Sequence, residues 1–121
     1  MTEPRAFVHG EWVAATDLAI SIYDAGFVLG ATVTEQLRTF RGQLFRLDDH
    51  LRRLFRSLEI VGIDPGYSAN ALRRIATDLV RHNHALIDEE DDLGMGIFVT
   101  PGAYATFSGG QETAPTVCLY T

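Results

Sequence analysis

Two amphipathic helices lie side by side in the middle of the sequence, and segments typical of β-strands lie on both sides of them. Leucine and phenylalanine recur at steps of three and four residues from Leu47 to about Ile60, which predicts the first helix. Ser68 is the predicted N-cap of the second helix, which a further apolar stripe extends to about His84. Because the helices are collected in one place, the order predicts an α+β fold. Its sheet should be mostly antiparallel and covered on one side by the two helices.

Short strand-like segments account for the rest of the pattern. Residues 6–9 and 11–15, separated by Gly10, predict a hairpin. The segment TVTEQLRTF, from Thr32 to Phe40, and the following QLFRL predict a second hairpin. Two further strands are predicted in GMGIFVTPG and TVCLYT, with the loop YATFSGGQETAP between them. A chain of 121 residues has room for one such domain.

The strand from Thr32 to Phe40 has two unlike faces. Period-two alternation places Thr34, Gln36 and Arg38 together on one face, whereas Glu35 falls among apolar positions on the other. A row of hydroxyl, amide and guanidinium groups is either a plain solvent-exposed face or the wall of a ligand site. Burying an unpaired carboxylate costs several kcal/mol, roughly, so we expect Glu35 to contact an arginine or backbone N–H groups.

The motif HLRRL in the first helix places His50 and Arg53 three residues apart, and therefore next to each other on the helix surface. Arginine suits phosphate because its planar guanidinium offers several parallel donors in a fixed direction. Arginines in such a position are also typical of a solvated helix face with intrahelical ion pairs. The spacing alone leaves both interpretations open.

Charge and spacing exclude several other functions. The net charge of −6 comes mainly from the run Asp88–Asp92, which predicts a solvated loop. Counted from Asp88, Leu93 and Val99 stand where an EF-hand needs glycine and glutamate, and the histidines lack ligand partners at known spacings. We therefore expect no metal site. The negative charge argues against nucleic acid as a partner. The motif GMG at Gly94 lacks the third glycine of a dinucleotide-binding loop.

Lysine is absent from the chain, since all ten basic residues are arginine. A lysine Schiff base within these 121 residues is therefore excluded. Cys118 is the single cysteine, so an internal disulfide cannot form, and we expect a reducing compartment, namely the cytoplasm. No apolar run exceeds four residues and the start lacks a signal core, so we expect neither a membrane span nor secretion.

A long segment resembles one known family in order and spacing. It contains an aspartate-glycine turn, a strand with a glutamate, a glycine hairpin and a helix with H-x-x-R, in AISIYDAGFVLGATVTEQLRTFRGQLFRLDDHLRRLFRSLEIVGI. This run is similar to the N-terminal part of the fold type IV pyridoxal-phosphate enzymes. That family includes branched-chain and D-amino acid aminotransferases, (R)-amine transaminases and aminodeoxychorismate lyase. A weaker similarity extends over IFVTPG and PTVCLYT.

The resemblance implies a role for each candidate site residue. Arg53 is similar to the arginine that holds the phosphate of pyridoxal 5'-phosphate, with Glu35 and His50 as supporting residues. The residues implied to line the substrate pocket are Thr34, Gln36 and Arg38.

The resemblance also implies what this chain contributes to an enzyme. Residues 1–121 would be the N-terminal small domain of an aminotransferase that moves an amino group from an amino acid, for example a branched-chain one, or an amine to a 2-oxo acid. The Schiff-base lysine would come from a C-terminal catalytic domain outside this chain, so the chain alone should be inactive. A homodimer is implied, because active sites in the family are completed by a neighbouring subunit.

Three departures from the family pattern leave the substrate open. Thr34 stands where D-amino acid aminotransferases place a tyrosine, Ala25 replaces an arginine, and Pro101 replaces the arginine of V-T-R-G. A stand-alone binding or interaction module, a purely structural role and an aminodeoxychorismate-lyase-like enzyme remain alternatives.

Overall fold

The computed structural model describes residues 2–104, 106 and 114–121. These residues form one six-stranded antiparallel sheet in the order β2-β1-β6-β5-β3-β4, with two long helices packed against one face. The α+β fold predicted from the sequence is confirmed. The elements are β1 (Arg5–Val8), β2 (Glu11–Ala14), a 3-10 turn (Ala15–Asp17), α1 (Ala25–Val28), β3 (Val33–Phe40), β4 (Gln43–Leu44), α2 (Leu47–Val61), α3 (Ala69–His84), β5 (Gly94–Thr100) and β6 (Thr116–Tyr120).

Both long helices begin and end close to the residues that the sequence indicates. The α2 helix ends at Val61 and is capped by Gly62, whose φ of 77° is a left-handed conformation that glycine adopts without a Cβ penalty. The α3 helix begins after Ser68, whose hydroxyl oxygen accepts a hydrogen bond of 3.0 Å from the backbone N–H of Ala71. The predicted N-cap is therefore confirmed.

The hydrophobic core lies between the sheet and the helices α2 and α3. Every second residue of the central strands points into this layer, as the alternation predicts. Leucines of the two helices fill the other side. Fully buried members of the core include Leu51, Leu54, Leu58, Leu72, Leu79, Met95, Ile97, Val99 and Leu119.

A segment with a short helix covers one end of the opposite sheet face. The helix is α1, which the sequence pattern did not predict, because four residues are too few to show a periodicity. Asp24 caps it by accepting a 2.7 Å hydrogen bond from the backbone N–H of Gly26. The same buried carboxylate accepts a 2.5 Å hydrogen bond from the Thr116 hydroxyl on β6. This contact attaches the covering segment to the sheet and leaves the β3 end of that face open.

Replacing Thr116 with valine tests this attachment. The variant keeps the side-chain shape but leaves one oxygen of the buried Asp24 carboxylate without its hydroxyl donor. We expect the free energy of unfolding to fall by about 1–3 kcal/mol, as measured by urea unfolding followed by circular dichroism. Thr34→Val, on an exposed β3 position, is the control and should change it by less than about 0.5 kcal/mol. Equal effects in the two variants would contradict the assignment.

The acidic run Asp88–Asp92 is an exposed connection between α3 and β5, as expected. Most of the predicted loop YATFSGGQETAP lies outside the described residues. In the described part of the chain, every helix is too short or too polar to cross a membrane.

Candidate functional site

An ion pair between a buried carboxylate and a largely exposed arginine joins β3 to α2. Glu35 is only 4 % exposed, and its two carboxylate oxygens accept hydrogen bonds from Nε and Nη2 of Arg53, both at 2.8 Å. This two-point contact matches the planar fork of the guanidinium to the carboxylate. The expectation that Glu35 contacts an arginine or backbone N–H groups is met by Arg53. Its partner comes from another element, so the pair also fixes how α2 lies on the sheet.

His50 completes a three-residue cluster with Glu35 and Arg53. Its Nδ1 lies 2.7 Å from Oε1 of Glu35. Burial alone raises the pKa of Glu35, but the hydrogen bonds from Arg53 and His50 and their charges outweigh it, so the pKa lies below the usual range. Glu35 is therefore an ionised acceptor, and Nδ1–H of His50 is the donor. The hydrogen bond and charge of Glu35 raise the pKa of Arg53, which remains a cation.

The outer side of Arg53 faces a surface hollow. The Arg53 side chain is 67 % exposed although Glu35 holds one edge of it. The hollow has a volume of about 360 Å³ and is lined by Phe45, Arg46, Asp49, His50 and Arg53. Among the described residues, Nη1 of Arg53 has no hydrogen-bond partner. A fixed cation with unused donors beside an open hollow is suited to bind an anion.

Asp49 balances part of the positive charge at the hollow. It accepts hydrogen bonds from Arg46 at 2.8 Å and from Arg52 at 2.9 Å. The hydrogen bond from Arg46 is the main cause of a lowered pKa at Asp49. Arg46 and Arg52 are thus both paired with Asp49 in the first turn of α2, whereas Arg53 is paired with Glu35 on the strand. This difference makes Arg53 the arginine of α2 that is held in one direction by a buried partner.

Thr34, Gln36 and Arg38 form an exposed row on the opposite face of β3. The burial pattern of the strand alternates from Thr34 to Phe40, so the two faces are as predicted. The structure therefore places the residues in two groups. Glu35, His50 and Arg53 are in contact on the helix side, whereas the row lies on the open side. Their roles in binding stay predictions.

Arg38 is held in place by a residue that the sequence pattern did not indicate. Its Nη2 donates to Asp92 at 3.2 Å, and its guanidinium carbon lies 4.0 Å above the ring centre of Phe40. Asp92 also accepts a 2.8 Å hydrogen bond from the Thr39 hydroxyl, which is the main cause of its lowered pKa. The run of five acidic residues predicts a solvated loop throughout, so nothing in the sequence pattern distinguishes Asp92 from its neighbours.

The described residues offer no competing metal site. Within residues 2–104, 106 and 114–121, no three His, Cys, Asp or Glu side chains are close enough to hold a metal ion. Cys118 is a buried free thiol on β6, and burial raises its pKa to about 11. It is therefore a poor nucleophile or ligand at neutral pH.

Comparison with known proteins decides the family. Residues 32–120 match the family described as amino-transferase class IV, which is most of the chain. This chain belongs to the class IV aminotransferases. It is 31 % identical over 118 residues to a D-alanine aminotransferase of Bacillus licheniformis, covering 97 % of this chain and 40 % of that protein. It is 32 % identical over 82 residues to a D-alanine aminotransferase of Staphylococcus epidermidis, covering 68 % of this chain and 29 % of that protein.

Solved structures of class IV aminotransferases share the fold. The branched-chain amino acid aminotransferase of Escherichia coli superposes with a TM-score of 0.80 at 18 % identity, covering 98 % of this chain and 39 % of that chain. A hypothetical aminotransferase of Mycobacterium tuberculosis, solved in a form bound to pyridoxal phosphate, superposes with a TM-score of 0.79 at 21 % identity and covers 95 % and 38 %. The chain thus spans two fifths or less of these relatives and corresponds to their N-terminal portion.

Proposed function

We propose that this chain is the phosphate-holding and substrate-facing part of a pyridoxal-phosphate-dependent aminotransferase. The enzyme transfers an amino group from an amino acid or amine to a 2-oxo acid. The observation that carries the proposal is the exposed edge of Arg53, fixed by the buried Glu35 and turned toward the hollow beside α2. Membership of the class IV family supports the reaction type.

The residues around Arg53 fit the phosphate group of the cofactor. A guanidinium has five N–H donors, and Glu35 uses only Nε–H and one donor of Nη2. The remaining donors point away from the carboxylate and match the oxygens of a phosphate dianion. Glu35 supplies a negative charge on the far side of Arg53, and His50 fixes the orientation of Glu35. The hollow of about 360 Å³ has room for a phosphate.

The chain's own residues would bind and orient the reactants. When bound, pyridoxal phosphate supplies a ring that withdraws electrons from a substrate carbanion. Arg53 would hold the phosphate end in one position. On the other face of β3, the hydroxyl of Thr34, the amide of Gln36 and the guanidinium of Arg38 would contact the substrate. Asp92 would keep Arg38 in a fixed direction, so that its free donors meet a substrate carboxylate.

The remaining parts of the enzyme would come from outside these 121 residues. The chain contains no lysine, so the lysine that forms the imine would belong to a C-terminal catalytic domain. We propose a homodimer for the complete enzyme and an inactive isolated chain. A branched-chain donor is one option, supported only by the fold shared with branched-chain aminotransferases.

Mass spectrometry of the natural protein that carries this chain tests the proposal. Native intact mass would be recorded with and without pyridoxal phosphate and again after borohydride reduction, which fixes an imine irreversibly. We expect the natural protein to gain one cofactor mass that survives denaturation, and the 121-residue chain to gain none. No adduct on the natural protein would overturn the proposal. Release of pyruvate from aminodeoxychorismate, with no amino acceptor present, would indicate the lyase alternative instead.

A further inference from the structure

The side chain of Tyr120 lies across a glycine of the neighbouring strand. Tyr120 on β6 and Gly96 on β5 are directly opposite each other in the register. A Cβ atom built on Gly96 would lie 2.4 Å from Cζ, 2.6 Å from the hydroxyl oxygen and 2.8 Å from Cε1 of Tyr120. A side chain at position 96 would therefore require the Tyr120 ring to move. The far end of the tyrosine ring therefore occupies the space that a side chain on β5 would fill.

Tyr120 lies on the same face as the predicted substrate-facing row. Gly96 is opposite Gln36 of β3 as well as Tyr120, so the three residues form one line across three strands. Residues directly opposite on neighbouring strands point to the same side of a sheet. The tyrosine ring extends from β6 over β5, and its hydroxyl end is directed toward β3. The hydroxyl end thus lies over Gly96, the strand position directly opposite Gln36.

The alternating glycines of GMG thus have a role in the shape of this face. At Gly94, opposite Arg38, an added Cβ would meet only the Leu37 carbonyl oxygen, at 3.9 Å. The sheet surface at Gly94, beside Arg38, is therefore bare backbone. The surface at Gly96, beside Gln36, is covered by the Tyr120 ring. Glycines within a strand often mark a close approach of another group, and here that group is Tyr120.

Part of the Tyr120 side chain is left exposed by the fold. Tyr120 is 37 % exposed and is the last residue of β6, after four buried positions. Within residues 2–104, 106 and 114–121, its hydroxyl has no hydrogen-bond partner. A partly exposed ring whose hydroxyl has no partner among these described residues, near polar residues of the same face, is a surface on which a ligand can pack.

We propose that Tyr120 is a specificity-determining residue that limits the size of the substrate group lying over Gly96. The inference rests on the proposed aminotransferase function and adds a fourth residue to the pocket of Thr34, Gln36 and Arg38. The carboxylate of an amino acid would lie over the bare backbone beside Arg38. Its hydrocarbon side chain would pack against the Tyr120 ring, which leaves room for a small group and excludes a large one.

The position of the ring is tested first, without any catalytic assay. In nuclear magnetic resonance spectra of the chain, we expect nuclear Overhauser contacts between the Tyr120 ring protons and the Gly96 α-protons. Gly96→Ala should displace the Tyr120 ring from its position over Gly96. We expect changed chemical shifts of the Tyr120 ring protons and the loss of their contacts to β5. Gly94→Ala is the matched control on the same strand and face, and should preserve both. Absence of the contacts in the unchanged chain would overturn the inference.

Substrate selectivity is tested second, in the natural protein loaded with pyridoxal phosphate. The readout is the ratio of kcat/KM for phenylalanine to that for alanine, in the enantiomer that is turned over. We expect Tyr120→Ala and Gly96→Ala to raise this ratio by about 10-fold or more. Tyr120→Phe keeps the aromatic ring, so this variant should have the same ratio as the unchanged protein. Line broadening of bound 3-phenylpropionate, an amino-free analogue, should be stronger in Tyr120→Ala than in the unchanged protein.

The two tests separate the inference from the function on which it rests. A cofactor adduct with an unchanged ratio in both Tyr120→Ala and Gly96→Ala would overturn the role of Tyr120 alone. Absence of any cofactor adduct would overturn the proposed function and this inference with it.

Discussion

Replacing Arg53 with alanine is expected to lower the affinity of the natural protein for pyridoxal phosphate by roughly 10- to 100-fold. The variant removes the one guanidinium of α2 that a buried carboxylate fixes in direction, and so it removes the donors proposed for the phosphate. Affinity would be measured by titration of cofactor absorbance. The same titration with pyridoxal, which lacks the phosphate, should be much less affected, because Arg53 is assigned to the phosphate alone.

Arg52→Ala is the control for this experiment. Arg52 is the preceding residue on the same helix, carries the same charge and pairs with Asp49 rather than with the strand. Its removal should leave the affinities for both ligands within about twofold. If Arg53→Ala lowered the affinities for pyridoxal phosphate and pyridoxal equally, Arg53 would be a purely structural residue, and the phosphate assignment would be wrong.

Replacing Glu35 with glutamine is expected to destabilise the fold at neutral pH and to change its response to acid. The amide group of glutamine turns an N–H donor toward the donors of Arg53, so one of the two hydrogen bonds is lost and the buried charge is removed. We expect the free energy of unfolding at pH 7 to fall by about 1–2 kcal/mol. Urea unfolding monitored by circular dichroism measures this change.

The pH dependence gives a second readout for the same variant. The folded-state pKa of Glu35 lies below its ordinary value, because the hydrogen bonds and charges of Arg53 and His50 outweigh the effect of burial. Its contribution to stability is therefore full above pH 5, roughly, and is lost as the pH falls through the folded pKa. Glu35→Gln should lose stability less steeply between about pH 5 and pH 3 than the unchanged chain.

Glu59→Gln is the matched control for both readouts. Glu59 is exposed near the end of α2 and carries the same charge. Its removal should change the free energy of unfolding by less than about 0.5 kcal/mol and leave the acid response as it is. If the acid limb of Glu35→Gln were as steep as that of Glu59→Gln, ionised Glu35 would not be the group that stabilises the fold.

Most of the local structure could be predicted from the sequence because its signals are periodic. Alternation along β3 separates Glu35 from Thr34, Gln36 and Arg38, and the structure has these residues on opposite faces. Steps of three and four residues predict α2 and α3 to within one residue of their observed bounds. Such patterns work because one face of each element must be apolar to bury itself against the core.

The contacts between elements could be predicted only in part. The need of a buried carboxylate for a partner predicted an arginine or backbone N–H groups for Glu35. The spacing of residues within one helix cannot say which arginine contacts a neighbouring strand. Asp92 carried no signal within a uniformly acidic run, although it contacts Thr39 and Arg38. Tyr120 and Gly96 are far apart in sequence, and their contact follows from strand order alone.

The position of β6 between β1 and β5 has a consequence for how the chain acquires its structure. Phe7 pairs with Leu119, so the first hairpin joins the sheet through residues 112 positions away in sequence. Bringing two such distant segments together lowers the conformational entropy of the chain before their contacts form. Topologies of this kind therefore fold slowly. On a ribosome, the hairpin of β1 and β2 would stay undocked until β6 had left the exit tunnel. The open edges of β1 and β5 would be exposed during that interval, which makes them the places where another chain could pair wrongly.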